Sequence, residues 1–300
     1  MKTCVILNPR AGTAVAQEQL AEHLRRVPGL TIAETKESGD GRRLAAEAVR
    51  SGCDLVVAAG GDGTINEVLN GVANDFGRVS FGILPLGTAN DFARTINVPA
   101  DVPAAIEILL AGQTELVDVI RYIGTETRYF LNVSAGGFSG LVNEALTDEM
   151  KQTWGPLAYL RSAAGVLPNL TDYRTFITCD DEPEEKLHLY NIVVANARYV
   201  AGGIPVAPEA QLNDGLADIV IVPAASILEL AVLGPQILLG AHLASELVLF
   251  RRARKISVRS EPGMWFNVDG ELIANVPATF EVLPRVLKLI VGPSASSEAN

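Results

Sequence analysis

The chain contains few cysteines and few basic residues for its length. Only three of its 300 residues are cysteine, at positions 4, 53 and 179, and no two of them form a CxxC pair. This spacing argues against both a disulfide framework and a zinc site. Lysine and arginine number 24 against 35 acidic residues, which gives a net charge of −11. Because basic side chains supply most of the affinity for phosphate backbones, we expect no nucleic-acid partner and no purely electrostatic attachment to a membrane.

The sequence also lacks an apolar run long enough to cross a membrane. Its most apolar stretch, Ile227 to Phe250, is interrupted by two glutamates, a proline, a glutamine and a histidine, whereas a span needs roughly 18–20 uninterrupted apolar residues. This stretch is predicted to be an amphipathic helix that either packs in the core or receives acyl chains. The basic run Arg251–Lys255 could make a local contact with an anionic membrane, but a solvated patch is the favoured interpretation. The first nine residues turn polar too soon for a signal peptide, so we expect a cytoplasmic protein.

The hydrophobic pattern changes near residue 120. Before this point, short apolar strands alternate with helical segments, as in a parallel sheet covered by helices. The predicted strands are Cys4–Leu7, Leu30–Ala33, Leu55–Ala59 and Phe81–Leu84, and the predicted helices are Val15–Val27, Arg42–Ser51 and Ile65–Ala73. We therefore expect an α/β nucleotide-binding domain over residues 1–120, which residues 285–300 could complete.

After residue 120 the apolar segments are short and β-rich, and Gly, Pro, Asn or Asp often separates them, which is typical of an antiparallel sheet. The predicted strands are Arg128–Val133, Arg174–Cys179, Leu187–Ala195, Ala217–Val222, Lys255–Val258, Met264–Val268 and Thr279–Leu283. Helical insertions are predicted near Leu157–Val166 and Ile227–Leu249, and a last strand, Val286–Val291, fits either domain. We expect a second, β-rich domain over residues 121–284.

A glycine-rich block, Gly60-Gly61-Asp62-Gly63-Thr64, lies directly between a predicted strand and a predicted helix. Glycines let backbone N–H groups approach an anion closely, and the helix N-terminus adds the positive end of its dipole. The block predicts a nucleotide-phosphate site, with Asp62 facing a divalent cation, although a tight turn has the same composition. Neither GxxxxGK[ST] nor GxGxxG occurs here, so a different kind of nucleotide site is needed.

A second polar loop, Leu86–Asp91, follows the next strand. Because ligands of parallel sheets bind at the carboxyl ends of the strands, this loop, the glycine block and Asn8–Gly12 should line one crevice. Thr88 is predicted to hydrogen-bond a phosphate or substrate oxygen. Asn90 and Asp91 either take part in the site or cap the following helix.

Two acidic turns occur in the second half of the chain. In Asn213-Asp214-Gly215, the Asp214 carboxylate and nearby carbonyls suit a hard cation, but a hairpin turn has the same sequence. The segment Val268-Asp269-Gly270-Glu271 carries two carboxylates that suit a general base, and a surface turn is the alternative. From the residues alone, the turn is the favoured interpretation of both segments.

In this order, the motifs resemble the diacylglycerol kinase catalytic family, and more closely its soluble bacterial branch of diacylglycerol kinases and YegS-like lipid kinases. The matching segments run nearly the whole chain: Asn8–Gly12, Gly60–Glu67, Leu86–Arg94, Ala195-Asn196, Val206–Pro208, Asn213–Gly215 and Val268–Glu271. The motif Gly-Gly-Asp-Gly-Thr is shared with NAD kinases and phosphofructokinases. Its combination with Gly-Thr-Ala-Asn-Asp and a late Asp-Gly-Glu is highly specific.

The resemblance implies a Rossmann-like α/β domain of the NAD-kinase and diacylglycerol-kinase type, a C-terminal antiparallel β-sandwich with helical insertions, and ATP held between them. The implied ATP-binding residues are Asn8, Pro9, Arg10, Ala11, Gly12, Thr35, Gly60, Gly61, Asp62, Gly63, Thr64, Ile65, Asn66, Thr88, Asn90 and Asp91. The implied base is Glu271, with Asp269 assisting or sharing the role.

A structural Mg²⁺ is also implied by the resemblance, at Asp214 and the carbonyls of Gln211 and Leu216, linked to the active site through Asp62 and Asp118. The chain departs from many relatives at two places: Asn213 replaces a second aspartate, and Ala201 interrupts a fuller glycine run. The first departure removes a charge beside the expected metal.

The implied activity is the ATP- and Mg²⁺-dependent transfer of phosphate to a hydroxyl of diacylglycerol or a related lipid. The expected partner is a lipid at the inner membrane surface, contacted transiently, and a homodimer is an open expectation. Two alternatives are a kinase for a soluble acceptor such as NAD and a non-catalytic nucleotide or lipid sensor on the same fold. The carboxylates at positions 62, 269 and 271 favour a kinase, because a sensor needs no base.

Overall fold

In the computed structural model the chain divides into two compact units. The first comprises the residues up to Val119 together with those from Arg285 onward, and the second runs from Ile120 to Pro284. The structure describes residues 2–13, 20, 22–24, 27, 29–138, 170–269, 271–273 and 277–293. The helix predicted near Leu157–Val166 lies outside the described residues, as does most of the helix predicted over Val15–Val27.

Four parallel strands form the centre of the first unit. They are β1 (Thr3–Leu7), β2 (Leu30–Glu34), β3 (Leu55–Gly60) and β4 (Ser80–Pro85). Strand β1 pairs with β2 and β3, and β3 pairs with β4, which gives the order β4-β3-β1-β2. Every residue of β1 and β3 is buried, as their uninterrupted apolar sequences predict for strands covered on both faces. The α/β part of the predicted fold class is confirmed.

Four helices of the described residues accompany this sheet. They are α1 (Asp40–Arg50), α2 (Asp62–Val72), α3 (Asp91–Thr95) and α4 (Val102–Ala111). Helix α2 buries residues 65, 68, 69 and 72, a spacing that places one apolar stripe against the core. It begins three residues before the predicted start because Gly61, with φ −89° and ψ −175°, already takes the N-cap position.

The second unit is antiparallel in all of its described strand pairs. Its strands, including two shared with the first unit, are β5 (Thr114–Ile123), β6 (Thr127–Phe130), β7 (Val133–Gly137), β8 (Tyr173–Cys179), β9 (Glu185–Ala195), β10 (Ala217–Pro223), β11 (Leu249–Ala253), β12 (Lys255–Glu261), β13 (Phe266–Val268), β14 (Glu271–Ile273) and β15 (Ala278–Ile290). The β part of the predicted fold class is confirmed.

Strand β15 is continuous where two separate strands, Thr279–Leu283 and Val286–Val291, were predicted. Its first half pairs with β12 in antiparallel fashion. Its last residues, Lys288 and Leu289, pair in parallel with β4 of the first unit. Between the halves, Arg285 has a φ of 51°, and its N–H donates to the buried Asp118 carboxylate at 2.7 Å.

The strand predicted over Arg128–Val133 is two strands, β6 and β7. The prediction failed because the N–H groups of Leu131 and Val133 donate to the Asp269 carboxylate, at 3.3 and 3.0 Å. The carbonyl of Asn132, between them, accepts from the N–H groups of Asn196 and Ala197. These bonds interrupt a sequence that has a continuous strand pattern.

The helix predicted over Ile227–Leu249 ends much earlier than expected. Helix α5 (Ile227–Leu238) is followed by Gly240 with φ 69°, a short 3₁₀ turn at His242–Ala244 and then strand β11. The run Arg251–Lys255 lies largely in strands β11 and β12, and all of its residues except Ala253 are exposed, as a solvated patch requires. Arg252 Nε donates to Asp218 at 2.8 Å. The left-handed glycine ends an apolar pattern that runs on in the sequence.

Aromatic side chains fill one core of the second unit. Phe280 is fully buried and meets the rings of Tyr122, Phe130 and Phe266 edge-on, with centroids 5.5, 6.2 and 5.2 Å away. Such pairs contribute about 0.5–1.5 kcal/mol each beyond the area they bury. The β-rich unit therefore has its own core.

Candidate active site

The carboxyl ends of the parallel strands meet at one edge of the first unit. The N–H of Asn8, just after β1, donates to Ala59 O of β3, and the N–H of Thr35, just after β2, donates to Leu7 O. Asn8 Nδ2 also lies 3.3 Å from Thr64 Oγ1. The structure thus brings together the predicted residues that follow β1, β2 and β3.

The glycine block forms the first turn of α2. Residues in a first helical turn have N–H groups without an acceptor inside the helix, and the helix dipole adds positive potential there. Gly63 is exposed, and a Cβ atom placed on it would meet no atom within 4 Å. The Thr64 side chain is buried beside Asn8. An anion can therefore reach the N-terminus of α2 at Gly63.

Gly61 and Gly87 allow two loops to pack closely together. A Cβ atom on Gly87 would lie only 2.5 Å from Gly61 Cα and 2.9 Å from Asn90 Oδ1. The backbone of the Leu86–Asp91 loop can approach the glycine block this closely only without side chains at both positions. Two of the predicted loops are thus in direct contact.

Asp62 bridges the same two loops rather than pointing away from them. Its oxygens lie 3.3 Å from Asp91 N and 3.2 Å from Phe92 N, so the carboxylate accepts from the first turn of α3. Burial raises the pKa of Asp62, and the hydrogen bonds from Phe92 and Asp91 oppose this effect. The structure thus shows a helix-capping carboxylate, and the expectation that Asp62 also faces a cation stays a prediction.

The remaining ATP-binding predictions of the first unit differ in accessibility. Thr88 is exposed, whereas Ile65 is in the core and its N–H donates to Gly61 O. Asn66 is buried and accepts from the Asn70 amide. Asn90 is buried in a left-handed conformation, and its amide donates to Gly87 O at 2.7 Å.

The loop after β1 is held by its own hydrogen bonds. Asn8 Oδ1 accepts from Arg10 N at 3.0 Å, and Ala11 N donates to Asn8 O. The Arg10 guanidinium donates to Lys36 O at 3.1 Å, which connects this loop to the one after β2. Pro9 and Gly12 are exposed in the same turn.

Sequence reasoning missed Glu67 as a residue that builds this site. Its carboxylate, on α2, accepts from Gly39 N and Gly41 N, each at 2.9 Å, at the start of α1. Gly39 itself offers no side-chain cap, so Glu67 supplies the acceptor from the neighbouring helix. Glu67 is the last residue of Gly60–Glu67, a segment that resembles the diacylglycerol kinase family. Its place in that segment was the signal that could have identified it.

The predicted metal site lies in the second unit. Asp214 is exposed, and its Oδ1 accepts from Leu216 N at 3.0 Å, which closes a compact turn. Gln211 is exposed nearby in the chain. Among the described residues, no three His, Cys, Asp or Glu side chains cluster as metal ligands. Only a cation held mainly by carbonyls and water fits this donor set.

Asp269 is an anchor of the β13–β14 hairpin. Besides accepting from Leu131 N and Val133 N, it donates its own N–H to Val133 O at 3.1 Å, and it has a φ of 46°. Glu271 begins β14 and is paired with Val268. The structure places both predicted acids on one hairpin and ties the first of them to β7.

Comparisons with known proteins agree with these motifs. The diacylglycerol kinase catalytic domain model matches residues 2–122, and the YegS C-terminal NAD kinase beta sandwich-like domain model matches residues 132–291. A diacylglycerol kinase of Staphylococcus saprophyticus is 33% identical over 98% of this chain and 96% of its own length. One from Bacillus subtilis is 30% identical over 96% and 95%.

A solved structure shows the same likeness in three dimensions. A crystal structure from Bacillus anthracis, of a protein assigned to the diacylglycerol kinases, is similar with a TM-score of 0.83 at 27% identity, covering 97% of this chain and 95% of that one. No helix in the described part of the chain is long and apolar enough to cross a membrane. With two family models that together match most of its length, the chain belongs to the diacylglycerol kinase catalytic family, whose members are kinases with an alcohol group as acceptor.

Proposed function

We propose that the protein transfers the γ-phosphate of ATP to the hydroxyl of diacylglycerol or a closely related lipid. The observation that carries the proposal is the N-terminus of α2. There the exposed Gly63 leaves the N–H groups of the first helical turn open to an anion, beside the carboxyl ends of β1 and β2. The names of the relatives support a lipid acceptor. The lipid would be reached by transient contact with a membrane surface.

In this proposal the first unit holds the triphosphate through its backbone. Phosphate binding at a helix N-terminus needs little side-chain charge, because N–H groups and the helix dipole provide the attraction. Asn8 and Thr64 set the position of the loop after β1, and Thr88 is available to bind a phosphate oxygen. Asp62 fixes the distance between the two loops.

We assign the general base to Glu271 and a positioning role to Asp269. An alcohol is a poor nucleophile at neutral pH and gains roughly 10²–10⁴-fold from a positioned base. Each carboxylate oxygen of Asp269 lies within hydrogen-bonding distance of a backbone N–H. Because these bonds hold the β13–β14 hairpin against residues 131 and 133, we assign Asp269 a positioning role. Glu271, on the same hairpin, would accept the proton of the attacking hydroxyl.

Mg²⁺ is the cofactor that the proposal includes. Asp214 with the carbonyls of Gln211 and Leu216 would hold it, since one carboxylate plus carbonyls and water is a common Mg²⁺ environment. Bound Mg²⁺ would supply positive charge that offsets part of the negative charge of the triphosphate. The replacement of a second acid by Asn213 predicts weak binding at this position.

The test is a transfer assay with labelled ATP, using diacylglycerol in mixed micelles and, separately, NAD as acceptor. We expect label in the lipid and none in NAD; the reverse would favour the soluble-acceptor alternative, and label in neither would favour a sensor. Gly63→Val should abolish ATP binding in a folded protein. Gly77→Val is the matched control, because Gly77 is also exposed and a Cβ atom placed on it would meet nothing within 4 Å.

The base assignment has its own test. Glu271→Gln should lower kcat by about 10²–10⁴-fold while calorimetry shows unchanged ATP affinity. Asp269→Asn should lower the melting temperature as well as kcat, because it disturbs the contacts with residues 131 and 133. Glu182→Gln, at an exposed acid of the same unit, should change neither. A fully active Glu271→Gln protein would rule out the assignment.

A further inference from the structure

A short segment between β6 and β7 is held by hydrogen bonds from two sides. On one side, Leu131 N and Val133 N donate to the Asp269 carboxylate, and Asp269 N donates to Val133 O. On the other side, the side-chain amide of Asn196, just after β9, donates to Leu131 O at 2.9 Å. We call Leu131–Val133 the clamped segment.

Asn196 bonds to the clamped segment through both its backbone and its side chain. Its backbone N–H donates to Asn132 O at 2.9 Å, as the N–H of Ala197 does at 3.1 Å, and its Nδ2 donates to Leu131 O. Any residue except proline could make the backbone bond. The bond to Leu131 O needs a side-chain donor of suitable length at position 196, so it is the contact that depends on asparagine.

The Asn196 side chain is too buried to contact a substrate directly. Asn196 and Leu131 are each only 1% exposed, and the Asn196 amide nitrogen is already used inside the protein. A buried backbone carbonyl needs a donor, because leaving it unpaired is costly. Asn196 therefore acts on the clamped segment and not on a bound molecule.

The clamped segment in turn fixes the start of the β13–β14 hairpin. Leu131 is bonded on both sides of its backbone, through its O to Asn196 and through its N to Asp269. Asp269 has a φ of 46°, a left-handed conformation that is uncommon outside glycine and that these bonds help to hold. Glu271 lies two residues further on and pairs with Val268 across the turn. A shift of the clamped segment would therefore move the turn that carries Glu271.

We propose that Asn196 is a positioning residue for the general base. Its amide holds Leu131, Leu131 holds Asp269, and Asp269 sets the place of Glu271; the inference rests on the proposed function, in which Glu271 is the base. These contacts all lie in the second unit, whereas the phosphate-binding loops belong to the first, so we expect ATP affinity to stay the same. Misplacing a reacting group by about 1 Å can lower the rate by roughly 100-fold.

The test compares kcat, ATP affinity and amide hydrogen exchange in folded variants. Asn196→Ala removes the donor and should lower kcat by roughly 10–100-fold, with ATP affinity by calorimetry unchanged. Exchange of the Leu131 and Val133 amides, followed by NMR, should become roughly tenfold faster, because the clamped segment opens more easily. Asn196→Ser keeps a shorter donor and should fall between Asn196→Ala and the wild type. It provides the same test if Asn196→Ala does not fold.

A second background separates positioning from a general loss of stability. In Glu271→Gln the base is already removed, so adding Asn196→Ala should lower kcat by less than about twofold, because groups that act as a unit are not additive. Ile177→Ala is the control, since Ile177 is buried in β8 of the same unit. It should lower the melting temperature and leave kcat of the folded protein unchanged.

Three results would overturn the proposal. They are unchanged kcat or unchanged exchange in folded Asn196→Ala, an equal loss of kcat with and without Glu271, and an equal loss of kcat in Ile177→Ala. The proposed function fails by a different result, which is a wild type that transfers no phosphate to lipid. The exchange measurement needs no substrate, so it still decides whether Asn196 holds the clamped segment.

Discussion

Replacing Glu67 tests whether one carboxylate on α2 holds the start of α1. It accepts two backbone bonds, from Gly39 N and Gly41 N, each 2.9 Å long, and a longer one of 3.5 Å from Ser38 Oγ. Hydrogen bonds to a charged group contribute about 1.5–3 kcal/mol, and partial exposure favours the lower end of this range. Glu67→Ala should therefore cost about 2–3 kcal/mol, or roughly 5–10 °C in melting temperature. Glu67→Gln keeps one acceptor and should cost about half as much.

The control for this prediction is Glu47→Gln on α1. Glu47 also accepts a bond of 3.0 Å, from Arg43, but the pair is an exposed ion pair one helical turn apart. Such pairs contribute only about 0.3–0.5 kcal/mol. Urea unfolding followed by circular dichroism gives the comparison. If Glu67→Ala is no less stable than Glu47→Gln, the contact between the helices does not stabilise the first unit and the reasoning fails.

Three further outcomes are expected. Gly87→Ala should lower stability and ATP affinity together, because its Cβ would lie 2.5 Å from Gly61 Cα; equal affinity by calorimetry would contradict the packing of the two loops. The pKa of Asp40 is lowered to about 2, chiefly by Arg43. Asp40 should therefore stabilise the fold above pH 4 and lose this effect as the pH falls from about 4 to 2. In Asp40→Asn, the free energy of unfolding should depend less on pH in that window. Mg²⁺ should raise the melting temperature of the wild type, and Asp214→Ala, unlike Asp181→Ala, should remove this shift; a shift that survives would place the cation elsewhere.

The fold could be predicted from the sequence wherever burial alone decided it. Strands β1 and β3 are apolar throughout, and their pairing as parallel neighbours follows from the alternation with helices. The end of α5 could not be predicted in this way. Apolar residues continue to Leu249, and the helix stops because Gly240 adopts a left-handed conformation that the hydrophobic pattern does not record.

The sequence predicted which loops form the candidate site, but it did not predict the contacts that individual side chains make there. Glycine spacing predicted where backbone would be accessible, and Gly63 is indeed exposed. The hydrogen-bond partners of Asp62 and Glu67 depend on how α2 packs against α3 and α1. This packing is a tertiary contact between separate segments of the chain, so the local sequence does not record it. A carboxylate's chemistry is the same toward a cation or a helix N-terminus, so composition could not choose between them.

Strand β15 has a consequence for the order of folding during synthesis. Its pairing of Lys288 with Ser80 joins residues separated by most of the chain, and Gly292 N donates to Ile96 O in the same unit. Until this last stretch leaves the ribosome, the edge of β4 has no strand on that side, and unpaired edges invite aggregation. The first unit, although translated first, is therefore completed last, and a stall late in translation would leave it with an open edge.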